Sequence, residues 1–586
     1  MGPAFLRFLL AAVLVLVSAS AQTPGSGPGE NNAARSGRPT EPATPGIPVR
    51  DDVTKKACGS CHQADKEGNL TRISWIRTTP EGWQEAIKRM VRLNGLTLKP
   101  EDARHIVQYL STENGLAPEE AAPVAWFLQK RTLQAETEIP SEELKRACAS
   151  CHPYAQPNSW RRSGEEWKLL TDMHVGYFPV AEFTAFRNGG RGGGGGGGAA
   201  APGAPPQRHP VDLAVEHFTK NAPLHTPEWA KWKASMRPAR LAGRWILWGD
   251  QPGKGRVLGE VTIAEGASAN EFTTKISYTE MQTGRKFQRT GKANLYTGYA
   301  WRGRSDSNGT SLEDPKAMRE VMSVSRDQST IEGRWFWGGY EELGINAKLV
   351  RANEGPQVLG LDTYSLASGA SKQVKIYGER LSVAGLKPTD ISMGNGVTVT
   401  KIVSATPSLV TAEVAVAKDA ISGPRDVEVN RAVATSAVYI YDKVDYIKVS
   451  ADSAIARLGG NTHPKGYVQF EAIAYHRGLD GKKDTPDDIA LGPVQAKWTV
   501  EEFLARFDDD DKDHVGSINV ETGFFTPSSE GPNPKRKWGT DNFGDVWVVA
   551  TFNPPGGDPA KPLTARSYLI VTVPLYMRWD QPEVAN

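Results

Sequence analysis

Cysteine is scarce: the 586 residues contain four. A fold stapled by many disulfides is thereby excluded. Long apolar runs are missing too. The run from Phe8 to Val17 is only about ten residues, against the roughly 20 needed to cross a bilayer, so no membrane span is predicted. Neither sign of charge dominates, with Lys and Arg at 69, Asp and Glu at 67 and a formal net charge of +2. That balance gives no electrostatic reason for a nucleic-acid or membrane-surface partner. A nucleophile elbow, an H-E-x-x-H helix and a Rossmann glycine pattern are also lacking, so no self-contained substrate-converting site is in view.

What is abundant is glycine (59) and proline (40), which favour turn-rich β structure and linkers. The length calls for several domains. Arg7, the apolar run and Ala19-Ser20-Ala21 read as a secretory signal over residues 1–21. Residues 22–48, rich in Pro, Gly, Ser, Thr and Asn, read as a disordered leader. The chain is therefore expected to be exported to the periplasm.

All four cysteines fall in two C-x-x-C-H pentapeptides, Cys58-Gly-Ser-Cys61-His62 and Cys148-Ala-Ser-Cys151-His152. This is the attachment signature of haem c. One helical turn brings two thiols to the two vinyl groups of a porphyrin, and the next residue offers an imidazole to the iron. Helix signals lead into both: Asp51 to Ala57 before the first, and Ser141 to Ala147, with Ser141 as cap, before the second. Zinc, a thioredoxin-like pair and two short disulfides are the competing readings. Two such pentapeptides that consume every cysteine behind an export signal favour haem, and hence a c-type cytochrome.

Either Met or His can supply the sixth iron ligand. Thr79 to Met90 reads as a helix leading to Met90, the choice for the first haem over a methionine buried in the core. A helix from Pro100 to Leu110 follows, with an apolar stripe at Ala103, Ile106, Val107 and Leu110 that leaves His105 on a solvated face. The pattern repeats at Ser163 to Leu170, then Met173-His174, and His174 is preferred to Met173 for the second haem. A duplicated cytochrome fold is predicted, with a tryptophan in the helix before each distal ligand. Unlike ligation would give the irons unlike potentials and a two-step electron path.

The helical dihaem domain is placed at 49–238, interrupted by a Gly-rich insertion at 189–206, and Thr226 and Pro227 open its last helix. Alternating and aromatic strands then predict three all-β domains. An antiparallel barrel is assigned to 239–355, an immunoglobulin-like domain to 356–442 and an immunoglobulin-like sandwich to 443–586. Acidic stretches at Asp480/Asp484/Asp487/Asp488 and Asp508 to Asp511 with Asp513 lack the alternation of a calcium loop, and solvated loops are expected there. The remaining histidines, among them His209, His217, His225, His463, His476 and His514, are expected at the surface.

Several segments together carry a resemblance. They include the two haem motifs, Arg77-Thr-Thr-Pro-Glu-Gly-Trp83, Glu101-Asp102-Ala103-Arg104, Tyr109-Leu110-Ser111, and Gly115 to Glu120. Later ones are His174 to Pro179, Gln251 to Gly255, Gly531-Pro532-Asn533-Pro534 and Gly544-Asp545-Val546-Trp547. A dihaem region followed by three β domains resembles the alpha subunit of quinohaemoprotein amine dehydrogenase. The resemblance implies a periplasmic hetero-oligomer. A small subunit with a tryptophan-derived quinone would oxidise primary amines, and a β-propeller subunit would complete the site. The alpha subunit would pass the electrons to a soluble copper protein or cytochrome c. Carried over, Cys58, Cys61, His62 and Met90 serve one haem and Cys148, Cys151, His152 and His174 the other. The glycine tract departs from the family's expected pattern. A self-sufficient dihaem peroxidase and a non-catalytic haem-bearing binding protein remain the alternatives.

Overall fold

Capping residues set the helical boundaries in the first part of the chain. The computed structural model describes residues 44–124, 139–186, 209–338, 342–353, 355–504 and 509–574. The expected signal segment, the leader up to residue 43, the Gly-rich insertion and Asp508 lie outside the described residues. Helix α1 (Asp52–Cys58) is capped by Asp51, whose carboxylate accepts the Thr54 N–H at 2.7 Å. Strand β1 (Ile76–Thr78) leads to α2 (Pro80–Asn94), capped by Thr79, opened by Pro80 and closed by Gly95 at φ 72°. Then come α3 (Pro100–Glu113), three residues longer than its apolar stripe predicts, and the short α4 (Pro118–Ala121).

The series recurs. Helix α5 (Glu142–Cys148) is capped by Ser141, and α6 (Ala155–Asn158) precedes β2 (Trp160–Arg162). Helix α7 (Gly164–Tyr177) is capped by Ser163, followed by α8 (Pro210–Asn221) and α9 (Pro227–Ser235) with Thr226 as cap. Trp83 Nε1–H donates to the Asn114 carbonyl at 3.0 Å, and Trp167 Nε1–H to the Ala222 carbonyl at 3.1 Å. Each tryptophan is thus pinned to the residue that ends the second long helix of its own repeat.

The helical region also holds two short strands. The repeats meet through a small antiparallel ladder in which Ile76, Arg77 and Thr78 pair with Arg162, Arg161 and Trp160. These strands carry buried arginines rather than alternating apolar residues, so periodicity does not reveal them. Arg77 is fully buried and forks onto Glu120 at 2.9 and 3.0 Å, while the same carboxylate receives Arg161 at 3.1 Å and Thr226 at 2.8 Å. One buried carboxylate therefore ties both repeats to α9, and these charge-assisted bonds satisfy the cations that the ladder buries.

Eight antiparallel strands follow: β3 (Gly243–Gln251), β4 (Gly255–Glu265), β5 (Glu271–Glu280), β6 (Lys286–Tyr296), β7 (Ala300–Asp306), β8 (Ala317–Val324), β9 (Thr330–Trp337) and β10 (Leu343–Arg351). Pairing of β10 with β3 closes them into a barrel, which leaves no open edge. Trp245, Trp301 and Trp335 fill its interior. The turn between β6 and β7 is the mount for the helical region. Thr297 accepts the Trp232 indole N–H at 2.9 Å, Tyr299 Oη donates to the Leu116 carbonyl at 3.1 Å, and Arg302 pairs with Glu81.

Residues 357–441 form two four-stranded sheets packed around one apolar core, and residues 446–572 form a second β-sandwich. Their acidic loops are internally committed: Tyr446 donates to Asp488, Lys448 pairs with Asp484, and Arg536 pairs with Asp510 and Asp511. Among the described residues no helix is long and apolar enough to cross a membrane.

Candidate haem centres

Helix α1 ends on Cys58 and the chain continues for one further turn. The amide N–H groups of Cys61 and His62 both donate to the Cys58 carbonyl, at 3.2 and 2.9 Å. This turn gathers the two thiols and the imidazole of the first motif. The second motif likewise begins at the last residue of its helix, Cys148 ending α5. In both repeats the first cysteine packs against an apolar cluster and the second is exposed. Burial pushes the Cys58 thiol up to about 11 and the Cys148 thiol up to about 12. At neutral pH these are thiols. All four cysteines are free, and among the described residues the only group of three or more metal-ligating side chains is Asp509 to Asp511.

The histidines are oriented. His62 Nδ1 lies 2.8 Å from the Thr71 carbonyl, His152 Nδ1 3.1 Å from that of Pro153, and His174 Nδ1 2.8 Å from that of Leu170. A carbonyl only accepts, so each Nδ1 carries the proton and each Nε2 keeps its lone pair. Burial lowers all three imidazoles from their ordinary value and favours the neutral form. A neutral ring anchored through one nitrogen, with the other free, is the form that metal-ligating histidines take.

The rings of His152 and His174 stand 6.4 Å apart, centroid to centroid, at an interplanar angle of 50°. Two metal–nitrogen bonds of about 2 Å each, plus the roughly 1.2 Å from each nitrogen to its ring centre, sum to about 6.4 Å. That separation would leave room for one iron held by both imidazoles. Met173, the neighbouring residue on α7, is turned about 100° around the helix from His174.

Met90 occupies the matching place in the first repeat. It lies seven residues after Trp83, as His174 lies seven after Trp167, on helices with the same cap and the same tryptophan anchor. The structure thus brings the His152 and His174 rings within 6.4 Å of each other, and relates His62 and Met90 by their places in the repeat. His105 is not a ligand candidate, since its Nε2 bonds Asp51, the cap of α1, at 2.8 Å. Elsewhere His463 meets Glu530, His476 meets Asp442 and His514 meets Asp510. His217 meets Tyr154.

Four family models match in succession along the chain. One, described as quinohemoprotein amine dehydrogenase A, alpha subunit, haem binding, covers residues 49–191. Models for alpha subunit domains II, III and IV cover 238–352, 355–442 and 447–584. The chain belongs to the quinohemoprotein amine dehydrogenase alpha subunit family. No curated protein matches it. As an alpha subunit of an amine dehydrogenase, it has a haem-binding region and is one component of a larger oxidoreductase.

Sequence reasoning missed the groups that frame these centres in the alpha subunit: Asp51 with His105, Glu120 between Arg77 and Arg161, and the guanidinium groups of Arg89 and Arg162. A signal was available. Arg-x-Thr-x-Glu-x-Trp at 77–83 and Arg-x-Ser-x-Glu-x-Trp at 161–167 align over the ladder and the helix start.

Proposed function

We propose that this chain is the dihaem c electron-transfer subunit of a periplasmic quinohaemoprotein amine dehydrogenase. Cys58 and Cys61 would hold one haem through thioethers and Cys148 and Cys151 the other. His62 and His152 would be the proximal ligands, and Met90 and His174 the distal ones. Bound iron supplies a reversible one-electron couple whose potential depends on its axial ligands.

The observation that carries the reading is the close pair His152 and His174, 6.4 Å apart and each tied at Nδ1 to a backbone carbonyl. Two protein ligands leave no open position for peroxide, which supports electron transfer over a peroxidase. The chain's own residues hold the ligands neutral, keep one face of each motif in an apolar cluster and lock the two repeats together. Ile76 and Ala86 pack against both clusters, so the sites share a wall. The electrons would come from a tryptophan-derived quinone on a small partner subunit during oxidative deamination of a primary amine, with a β-propeller subunit completing the complex. A soluble copper protein or cytochrome c would accept them.

The test is the mature protein purified from the periplasm. The expected result is a Soret band, two haems per chain and a mass increase confined to the peptides containing the four cysteines. In the assembled complex, amine should reduce both haems, and the isolated chain should oxidise no amine. A colourless product, unmodified sulfurs or amine oxidation by the single chain would overturn the reading.

A further inference from the structure

The second haem site contains more buried positive charge than its fold requires. Arg162, on β2, is 3% exposed and its guanidinium lies over the Trp160 ring at 4.4 Å and the Trp167 ring at 5.6 Å. Both tryptophans belong to the cluster that packs Cys148. Arg162 Nε is buried with no hydrogen-bond partner among the described residues, and its nearest carboxylate, Glu166, is 3.8 Å away and bonded to Arg72 at 2.8 Å. Arg89, half-buried on α2 in the first repeat, likewise has a buried Nε with no hydrogen-bond partner among the described residues, and its charge acts on His174 together with that of Arg162. Asn94 meets the Tyr177 hydroxyl at 3.5 Å, which brings the end of α2 to the end of α7.

Among the described residues the buried Arg162 has only Glu166 within 4 Å, a carboxylate it shares with the part-exposed Arg72, and Glu85, which faces Arg89, also pairs with Lys88 at 3.3 Å. An unpaired buried charge is costly and persists where something compensates it. The repeat shows that the fold does not demand these cations. At the corresponding places the first repeat has Thr78 for Arg162 and the second has Met173 for Arg89, each counted from its own tryptophan. A haem carries two propionate carboxylates, and a guanidinium fork suits a carboxylate in shape as well as charge.

We propose that Arg89 and Arg162 bind the propionates of the haem ligated by His152 and His174, with Arg89 reaching across from the first repeat. The proposal rests on the reading of that pocket as a haem site. Both arginines are positioning residues: they orient the ring and, as cations near the iron, stabilise its less positive reduced form and raise its potential.

The experiment uses the full chain matured with its haems, in the variants Arg89→Met and Arg162→Thr, each taking the residue of the other repeat. Arg92→Gln, an exposed cation on the same helix, is the control. Haem content is measured by pyridine haemochrome and the two midpoint potentials by spectroelectrochemistry. The expected result is a downward shift of one potential alone, the same one in both variants, or loss of the Cys148/Cys151 haem alone, with the control unmoved. Two haems per chain with both potentials at their wild-type values would overturn the assignment. If Arg162→Thr does not accumulate, Arg89→Met decides by the same criterion. Wild-type protein lacking a haem at Cys148 and Cys151 would instead overturn the underlying haem reading.

Discussion

Arg302 of the barrel pairs with Glu81 in the first turn of α2, across 221 residues of sequence. Both side chains are buried, at 6% and 2% exposure. The contact holds the start of the helix whose far end carries Arg89 and Met90, so the barrel acts as the frame against which the proposed first haem site is set. Removing one member of a buried pair leaves its partner charged and unpaired, at about 3–5 kcal/mol.

Arg302→Met and Glu81→Gln should therefore each lower the melting temperature of the full chain. The double variant should be less destabilised than the sum of the two. A double-mutant cycle on thermal melts checks this, and strict additivity would show that the pair is not coupled.

A second buried charge predicts a pH effect. Glu320 on β8 accepts the Trp301 indole N–H at 2.8 Å, and burial pushes its carboxyl up to about 7. An unfolded glutamate titrates near 4.3, so between about 4.3 and 7 the folded chain keeps a proton that the unfolded chain has released. Stability from this group is therefore lost as pH rises through that window, by about 4 kcal/mol in all. Glu320→Gln should melt near wild type at pH 5 and above it at pH 8. A difference that stays constant with pH would refute the assignment.

Sequence alone made the two C-x-x-C-H motifs, the caps Ser141 and Thr226, and four of the eight barrel strands visible, because each is written in neighbouring residues. Glu120 shows what was hidden. Three of its side-chain partners, Arg77, Arg161 and Thr226, lie on separate elements, and no local pattern ties a carboxylate in the four-residue α4 to them. Closure of β10 on β3 and the parallel pairing of Ser453–Arg457 with Leu563–Thr572 are hidden for the same reason: the partners are far apart in the chain. His174 was legible as a residue type at a helical distance from its tryptophan. That its ring stands 6.4 Å from that of His152 became visible only in three dimensions.

Ligand identity should move the two haems in opposite directions. A thioether ligand raises the potential relative to imidazole. Met90→His is expected to lower one midpoint potential, and His174→Met to raise the other. Spectroelectrochemistry on the two variants separates these outcomes. If Met90→His leaves both potentials unchanged, Met90 is not a ligand and the first iron takes its sixth group from elsewhere.

The tryptophan anchors give the repeat its sharpest test. Trp83→Phe and Trp167→Phe keep most of the ring volume but delete the indole N–H that holds Asn114 or Ala222. Each carbonyl keeps one backbone donor, the Thr78 N–H on Asn114 and the Arg162 N–H on Ala222, so the loss is that of a single hydrogen bond, about 1 kcal/mol. The structural damage should stay within one repeat, because the ladder and Glu120 join the repeats without passing through either indole. Soret circular dichroism of the two variants should therefore change for different haems, the Cys148/Cys151 site responding to Trp167→Phe and the Cys58/Cys61 site to Trp83→Phe. If either substitution perturbed both bands equally, the repeats would form one cooperative unit rather than two sites sharing a wall at Ile76 and Ala86.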